Sequence, residues 1–415
     1  MFSFESFLDL PLIWYGLIIT AIFLYVILDG FDLGVGVLFP FAPSDKCRDR
    51  MMNSIAPFWD GNETWLVLGG GGLFAAFPLA YAVLMPALYI PIIVMLLGLV
   101  FRGVAFEFRF KAAGRSKKVW DHAFHFGSLA AAFSQGVVLG GFVQGVAVQG
   151  RSFAGGAFDW LTAFSVMTGL ALVCGYALLG AVWLIMKTED ETQQWARKCA
   201  AYLLVYVAIF MGVVLGGFVQ GVAIQGRGFA GGAFDWLTAF SVMTGLALIC
   251  GYALLGAAWL IMKTEDETQE WARKCAAYIL VFVAIFMGLV SLSMPFMNEG
   301  VKNLWFSWPN ILMLSPMPVL SAVMLVLLWR DVRKPREYRP FFLSLGLFLM
   351  NYIGLGISMW PWLVPFEITF RQAAAAPQSQ SLLLVGTVIM LPIILSYVGY
   401  CYYVFRGKAS HEATY

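Results

Sequence analysis

The sequence predicts an all-α membrane protein with about eleven transmembrane helices. Of its 415 residues, 61% are hydrophobic and 12% are charged, and the mean hydropathy is +0.80. A soluble core of this size cannot bury so much apolar surface. Apolar runs of about 20 residues, the length of a spanning helix, follow one another along the chain. We therefore expect one membrane domain over residues 1–415 and no soluble domain.

Each predicted helix is an apolar run bounded by polar residues, glycine or proline. The first run lacks the basic segment and small-residue cleavage site of a secretory signal, so it is predicted to be retained. The predicted helices span residues 12–39, 54–76, 78–108, 121–149, 157–187, 198–225, 233–263, 274–294, 310–330, 339–361 and 382–405.

The basic residues predict that the N-terminus is outside and the C-terminus is in the cytoplasm. With this orientation, 21 of the 26 lysines and arginines lie in cytoplasmic loops or the tail, and four lie outside. Such an excess marks the cytoplasmic side. Net charge is only +2, which predicts no nucleic-acid partner, and the six cysteines have no metal-ligand or disulfide spacing.

Two adjacent segments of the chain are nearly identical. Residues 136–211 and 212–287 align over 76 residues with seven differences. Solenoid repeats are about 20–50 residues long and keep only a pattern, so this identity indicates a recent segmental duplication or an assembly error. The second copy adds two predicted helices, an even number, and therefore leaves the predicted orientation of the following chain unchanged.

Acidic residues inside predicted helices are the first candidates for a functional site. Asp29 and Asp32 lie three residues apart, on one face of the first helix. Gly30 beside them allows a neighbouring helix to approach closely. An ionisable group in the bilayer costs roughly 2.5–3.5 kcal/mol, so both carboxylates are expected to face protein and to have a function.

Further charged residues occur at the ends of the next two predicted helices. Asp60 and Glu63 share a face near the start of the second helix, and Arg102 and Glu107 lie near the end of the third. With the predicted orientation, these ends and the end of the first helix all face the cytoplasm. The sequence therefore predicts a cluster of carboxylates around one arginine.

Two functions are open for this cluster. One is a charge network that holds three helices together, with Arg102 paired to Glu107 or Asp60. The other is a proton entry path, because closely spaced buried carboxylates can bind and release protons near neutral pH. Different members of the cluster can serve both functions.

The histidines do not predict a haem site in this chain. His122 and His125 have a spacing that could bind a metal, but no carboxylate or thiol is placed with them, so we expect no metal there. With only three histidines, the third being His411 in the tail, the chain alone cannot ligate several haems. Trp65, deeper in the second helix than the acids, is a candidate for lining a small-molecule passage.

Two motifs carry a resemblance to a known family. The segments DGFDLGVG at 29–36 and PFWDGNETW at 57–65 resemble subunit II of the bd-type ubiquinol oxidases. The segments at 101–109, 159–162 and 183–189 are similar to the cyanide-insensitive branch of that family. Removal of one repeat copy leaves 339 residues and nine predicted helices, the usual number in the family.

The resemblance implies a respiratory complex in the bacterial inner membrane that oxidises quinol and reduces oxygen to water. In such a complex the haems, of b and d type, and the quinol site lie in a partner subunit I, and this chain is a haem-free scaffold with no catalysis of its own. The resemblance also implies contact with lipid, and it is compatible with a small single-helix subunit and with a structurally bound quinone.

The resemblance also implies roles for individual residues. Asp60, Glu107 and the pair Asp29 and Asp32 match acids proposed to conduct protons from the cytoplasm. Trp65 matches a residue at the oxygen entrance. Arg102, with Glu63 and Gly30, then supports this path by charge and packing.

A proton-coupled secondary transporter is the alternative function. Intramembrane acids, glycine-rich helices and an internal repeat all suggest it. However, transporter repeats are weakly similar and often inverted, with the binding site near the bilayer midplane. The acids of this chain lie outside its repeated segment, which favours the oxidase.

Overall fold

Long α-helices make up most of the chain, as the apolar pattern predicts. The computed structural model describes residues 9–220, 224–225, 228–229, 237–297, 299–364 and 367–409. Its helices are α1 (Leu10–Leu38), α2 (Asp45–Ile55), α3 (Trp59–Ala76), α4 (Pro78–Arg109), α5 (Arg115–Val143), α6 (Ala163–Lys187), α7 (Asp190–Gln220), α8 (Ala239–Lys263), α9 (Asp266–Met297), α10 (Glu299–Phe306), α11 (Asn310–Leu314), α12 (Pro316–Val332), α13 (Arg339–Met359), α14 (Phe370–Ala373) and α15 (Pro377–Val404).

Short antiparallel hairpins lie in three of the loops. Their strands are β1 (Val148–Gln149) with β2 (Ser152–Phe153), β3 (Ile224–Gln225) with β4 (Gly228–Phe229), and β5 (Trp362–Val364) with β6 (Ile368–Thr369).

Within the described residues, nine helical segments are long and apolar enough to cross a membrane. They are Leu10–Phe41, Pro78–Arg109, Arg115–Val143, Ala163–Lys187, Ala239–Lys263, Asp266–Ser293, Asn310–Val332, Arg339–Ser358 and Pro377–Val404. Each coincides with a predicted helix, so the all-α membrane fold is confirmed. The second and sixth predicted helices correspond to α3 and α7, which are not among the nine. Eleven crossings and their orientation stay predictions.

The bounds of several helices differ from those predicted. Helix α5 ends at Val143 rather than 149, since the chain turns at Gly145, whose φ of +82° suits glycine. Helix α6 begins at 163 rather than 157, where Thr162 and Ser165 form a reciprocal N-terminal capping box. Of the predicted seventh helix, residues 233–236 lie outside the described residues.

Helix α2 was not predicted from the sequence. It begins after Ser44, whose hydroxyl oxygen accepts a hydrogen bond from the Cys47 backbone N–H at 3.3 Å. The helix is short and largely polar, so it gives no signal in a search for spanning segments.

The chain divides into two compact units. The first contains Met1–Val207, Ile224–Phe229 and Pro361–Tyr415, and the second contains Ala208–Ala223 and Ala230–Trp360. In the first unit, α1 packs against α3, α5 and α6, and α4 packs against α5. In the second unit, α8 packs against α9 and α13, and α12 packs against α13. One membrane domain over the whole chain stays a prediction.

Helices α1 and α6 meet through their backbones. A Cβ atom added to Gly34 would lie 1.7 Å from the Tyr176 carbonyl oxygen, and one added to Gly180 would lie 2.3 Å from the Gly34 carbonyl carbon. Any side chain larger than hydrogen would therefore push the helices apart. This close packing fixes α1, which carries Asp29 and Asp32, inside the first unit.

The two repeat copies contain a matching contact. In the first copy, a Cβ atom added to Gly136 of α5 would lie 2.6 Å from the Gly169 Cα atom of α6. In the second, one added to Gly212 of α7 would lie 2.3 Å from the Gly245 Cα atom of α8. Helix α8 also starts with the same capping box as α6, formed by Thr238.

Candidate functional site

Arg102 is the centre of a buried charged cluster in the first unit. Its side chain, on α4, has no solvent exposure. Its Nη1 atom donates to Asp29 Oδ1 at 2.8 Å and to Glu63 Oε1 at 3.2 Å, and Nη2 lies 3.8 Å from Asp32 Oδ2. Helices α1, α3 and α4 each supply a charged group, so the cluster joins all three.

The balance of charge in this cluster is uneven. Three carboxylates face one guanidinium group, which leaves a net charge of −2 when all the groups are ionised. Asp29 and Asp32 are fully buried, and burial of unpaired charge is strongly unfavourable. Binding of a proton by a carboxylate relieves this imbalance, so the geometry suits proton uptake and release.

Several polar atoms of the cluster have no hydrogen-bond partner among the described residues. They are Asp29 Oδ2, Asp32 Oδ1, Arg102 Nε and Arg102 Nη2. An unsatisfied buried polar atom costs about 1–3 kcal/mol. Buried polar atoms of this kind are commonly satisfied by internal water.

Two uncharged residues extend the cluster on its Asp32 side. Asn62 Nδ2 donates to Asp32 Oδ2 at 2.7 Å and to the Leu28 carbonyl oxygen at 3.2 Å. Tyr402 on α15 donates its hydroxyl hydrogen to Asn62 Oδ1 at 3.1 Å. The sequence analysis did not select either residue. Asn62 lies within the 57–65 motif but has no charge, and Tyr402 is distant in sequence.

The other two candidate acids lie outside the buried cluster. Asp60 is exposed, and it interacts electrostatically with Glu107. The Glu107 side chain is 54% exposed, and its Oε2 atom lies 3.6 Å from Lys111 Nζ. The pairing of Arg102 with Glu107 or Asp60 is therefore wrong, because Arg102 pairs with three other acids. The charge network exists, but with different members.

Trp65 and Gly30 are both in close packing near the cluster. The Trp65 side chain is 4% exposed and packs with Ala21 and Tyr25. Its indole Nε1 has no hydrogen-bond partner in the described part of the chain. A Cβ atom added to Gly30 would lie 2.7 Å from the Tyr176 ring, so glycine makes room for this tyrosine.

A second buried arginine joins three helices, α2, α4 and α5. Arg109, at the end of α4, donates to Asp49 Oδ1 at 2.6 Å and to Asp121 Oδ1 at 2.5 Å. Its guanidinium group also lies 5.1 Å from the centre of the Phe39 ring. Arg109 directly follows the predicted third helix, 78–108, and the sequence analysis did not anticipate this contact.

The two histidines of the described residues contact neighbouring groups of the first unit. His125 Nδ1 lies 3.1 Å from the Gly36 carbonyl oxygen, and its ring packs edge-on against Phe41. The His122 ring packs against Phe126. Within the described residues, no three His, Cys, Asp or Glu side chains are grouped so as to hold a metal ion.

Comparison with known proteins identifies relatives along the whole chain. The model of the family "Cytochrome bd terminal oxidase subunit II" matches residues 10–211 and 205–405. The cytochrome bd-I ubiquinol oxidase subunit 2 of Escherichia coli (strain K12) is 27% identical over 420 residues, which cover 97% of this chain and 96% of that protein. The cytochrome bd ubiquinol oxidase subunit 2 of Bacillus subtilis (strain 168) is 35% identical over 202 residues, 48% of this chain and 60% of that protein.

A solved structure has the same fold. The bd oxidase from Geobacillus thermodenitrificans contains a chain that matches with a TM-score of 0.53 and 16% identity, over 96% of this chain and 99% of that one. At this identity the similarity concerns the fold alone. The family model, however, matches nearly all of the sequence. The chain belongs to the cytochrome bd terminal oxidase subunit II family.

Proposed function

We propose that this chain gives a respiratory quinol oxidase its scaffold and a cytoplasmic proton entrance. Family membership makes the chain a subunit of such an oxidase and implies a partner subunit I and haems in the complex. Haem ligation by the partner is supported by the small number of histidines, three in the chain, and by the contact of His125 with the Gly36 carbonyl oxygen. A transporter has no support from these relatives.

The observation that carries the proton entrance is the sharing of Arg102 by three carboxylates. In the proposed path, protons bind first to the exposed pair Asp60 and Glu107. They then reach Glu63, which lies three residues after Asp60 on α3 and is 27% exposed. From Glu63 they reach the buried aspartates next to Arg102. Each step moves one proton from a carboxylic acid to a carboxylate.

This path is tested with Asp60→Asn and Glu107→Gln in the purified complex. Oxygen uptake driven by quinol is measured per haem, so that loss of assembly is not read as loss of turnover. We expect each variant to slow turnover, because each removes a proton-binding group. Normal turnover in both assembled variants would contradict the path and favour a purely structural charge network.

Trp65 is proposed to line the oxygen entrance. Its support is the buried indole beside Ala21 and Tyr25, close in sequence to the acids of α3. Replacement by phenylalanine is expected to raise the KM for oxygen and to leave the KM for quinol unchanged. An unchanged KM for oxygen would contradict this role.

A structurally bound quinone in this subunit is supported by a pocket in the second unit. The pocket has a volume of about 540 Å³, within the range of small-molecule sites. Its lining is mainly apolar, with aromatic rings from Tyr352 and Trp360. Extraction and quantification of quinone from wild type and Trp360→Ala would test this proposal, and equal quinone content would contradict it.

The proposed setting is the bacterial inner membrane, with the N-terminus outside, the C-terminus in the cytoplasm and eleven crossings. The support is the distribution of basic residues and the nine long apolar helices. Protease access to a C-terminal tag in inside-out vesicles tests the orientation. Inhibition of oxygen uptake by cyanide tests cyanide resistance. Mass spectrometry of the complex tests for a small single-helix subunit.

Comparison of complex assembly by the full chain and by a chain that lacks residues 212–287 tests whether the proposed duplication is tolerated.

A further inference from the structure

The buried cluster is bordered on two sides by amide side chains. On the Asp32 side, the Asn62 amide lies between Asp32 and the Tyr402 hydroxyl. When Asp32 is ionised, its carboxylate only accepts hydrogen bonds, so the Asn62 Nδ2 atom faces Asp32 and its Oδ1 atom faces Tyr402. Beyond Tyr402 lies a water-sized pocket of about 10 Å³ that Gly61 and Cys401 also line.

On the Asp29 side there is a second amide between two tyrosines. Tyr25, four residues before Asp29 on α1, interacts with its carboxylate. Gln135 on α5 donates from Nε2 to the Tyr25 hydroxyl oxygen at 2.7 Å and accepts from the Tyr176 hydroxyl at 2.8 Å. Both tyrosines are buried, with 4% and 1% exposure. This row of hydrogen-bonded side chains therefore leads into the helix bundle.

An amide in such a row does not pass protons. Its nitrogen keeps its hydrogens and its oxygen binds a proton only in strong acid, so a proton cannot enter on one side and leave on the other. Asn62 and Gln135 therefore interrupt both hydrogen-bonded rows. Of the three carboxylates that contact Arg102, only Glu63 is partly exposed, since Asp29 and Asp32 have no exposed surface.

We infer that Glu63 is the residue through which the buried cluster exchanges protons, and that Asn62 and Gln135 close its other two sides. This inference rests on the proposed proton entrance and assigns its parts. Asp29 and Asp32 then store protons beside the path, and Glu63 lies on the path. In the exchange, neutral Glu63 gives its proton to an aspartate carboxylate, and the resulting Glu63 anion takes a proton from the exposed acid pair.

The first test is Glu63→Gln in the assembled complex, with turnover measured per haem in H₂O and D₂O. Loss of an acid–base group on the path is expected to slow turnover by about a hundredfold. The solvent isotope effect is expected to rise, because proton delivery becomes rate-limiting. Glu265→Gln, an exposed acid outside the cluster, is the matched control and should behave as wild type.

The second test opens a closed side. Asn62→Asp places a proton-carrying group between Asp32 and Tyr402, so it should give the buried aspartates a second route for proton exchange. The readout is the H/D exchange of the buried carboxylic acids, followed by infrared spectroscopy after transfer to D₂O: Glu63→Gln should slow it, and the double variant Asn62→Asp with Glu63→Gln should restore it toward the wild-type rate. Exchange in the double variant as slow as in Glu63→Gln would contradict closure by Asn62. If Glu63→Gln turns over normally while Asp60→Asn is slow, the inference is wrong and the proton entrance stands. If both turn over normally, the proposed function also fails.

Discussion

Replacement of Arg102 by methionine is expected to destabilise the complex strongly. Methionine keeps a long unbranched side chain but removes the hydrogen bonds to Asp29 and Glu63 and the ion pair with Asp32. Asp29 and Asp32 are fully buried, so they cannot replace the lost partner with bulk water. Removal of one partner from a buried ion pair typically costs about 3–5 kcal/mol, and this is the loss we expect.

The assay is the midpoint of thermal unfolding of the detergent-purified complex, together with the haem retained per mole of this chain. Two companion variants separate charge from packing. Arg102→Lys keeps the charge and should lose less stability, although lysine cannot contact several carboxylates through one planar group. Adding Asp29→Asn to Arg102→Met removes one uncompensated carboxylate and should restore part of the loss. A midpoint for Arg102→Met equal to that of wild type would refute this account of the cluster.

Three further outcomes follow from the helix packing, the ion pairs of Arg109 and the contacts of His125. Gly34→Leu should prevent assembly, because its side chain would overlap the backbone of the facing helix. Gly16→Ala should assemble normally, because a Cβ atom added there has no other atom within 4 Å. The haem content of the purified complex checks both variants. Arg109→Met should lower the unfolding midpoint, with a loss of about 2 kcal/mol because its acidic partners are partly exposed, and the exposed Lys111→Met should change it little. His125→Ala should keep the full haem content in a reduced-minus-oxidised spectrum, and a missing haem band would show that this chain ligates a haem.

The helices could be predicted from the sequence because apolar length alone determines a spanning segment. The ends of α5 and α6 could not, since they depend on a turn at Gly145 and a capping box at Thr162 that hydropathy does not detect. Helix α2 was missed for the same reason, because it is polar and short.

For the candidate site, spacing placed Asp29 and Asp32 correctly on one face of a helix. It could not choose the partners of Arg102, because these come from packing between helices rather than from distance along the chain. Asn62 and Gln135 were missed because the search of the sequence selected ionisable side chains, and an amide carries no charge and does not titrate. Their importance comes only from the groups on either side of them.

The contact between Gly212 and Gly245 bears on how a membrane protein can gain additional helices during evolution. Because the repeated segment contains both glycines of this contact, a helix pair copied with it brings its own interface. The host chain need not already offer a complementary groove for the new pair. On the proposed duplication route, a helix bundle therefore gains a whole hairpin together with the contact that holds its helices together.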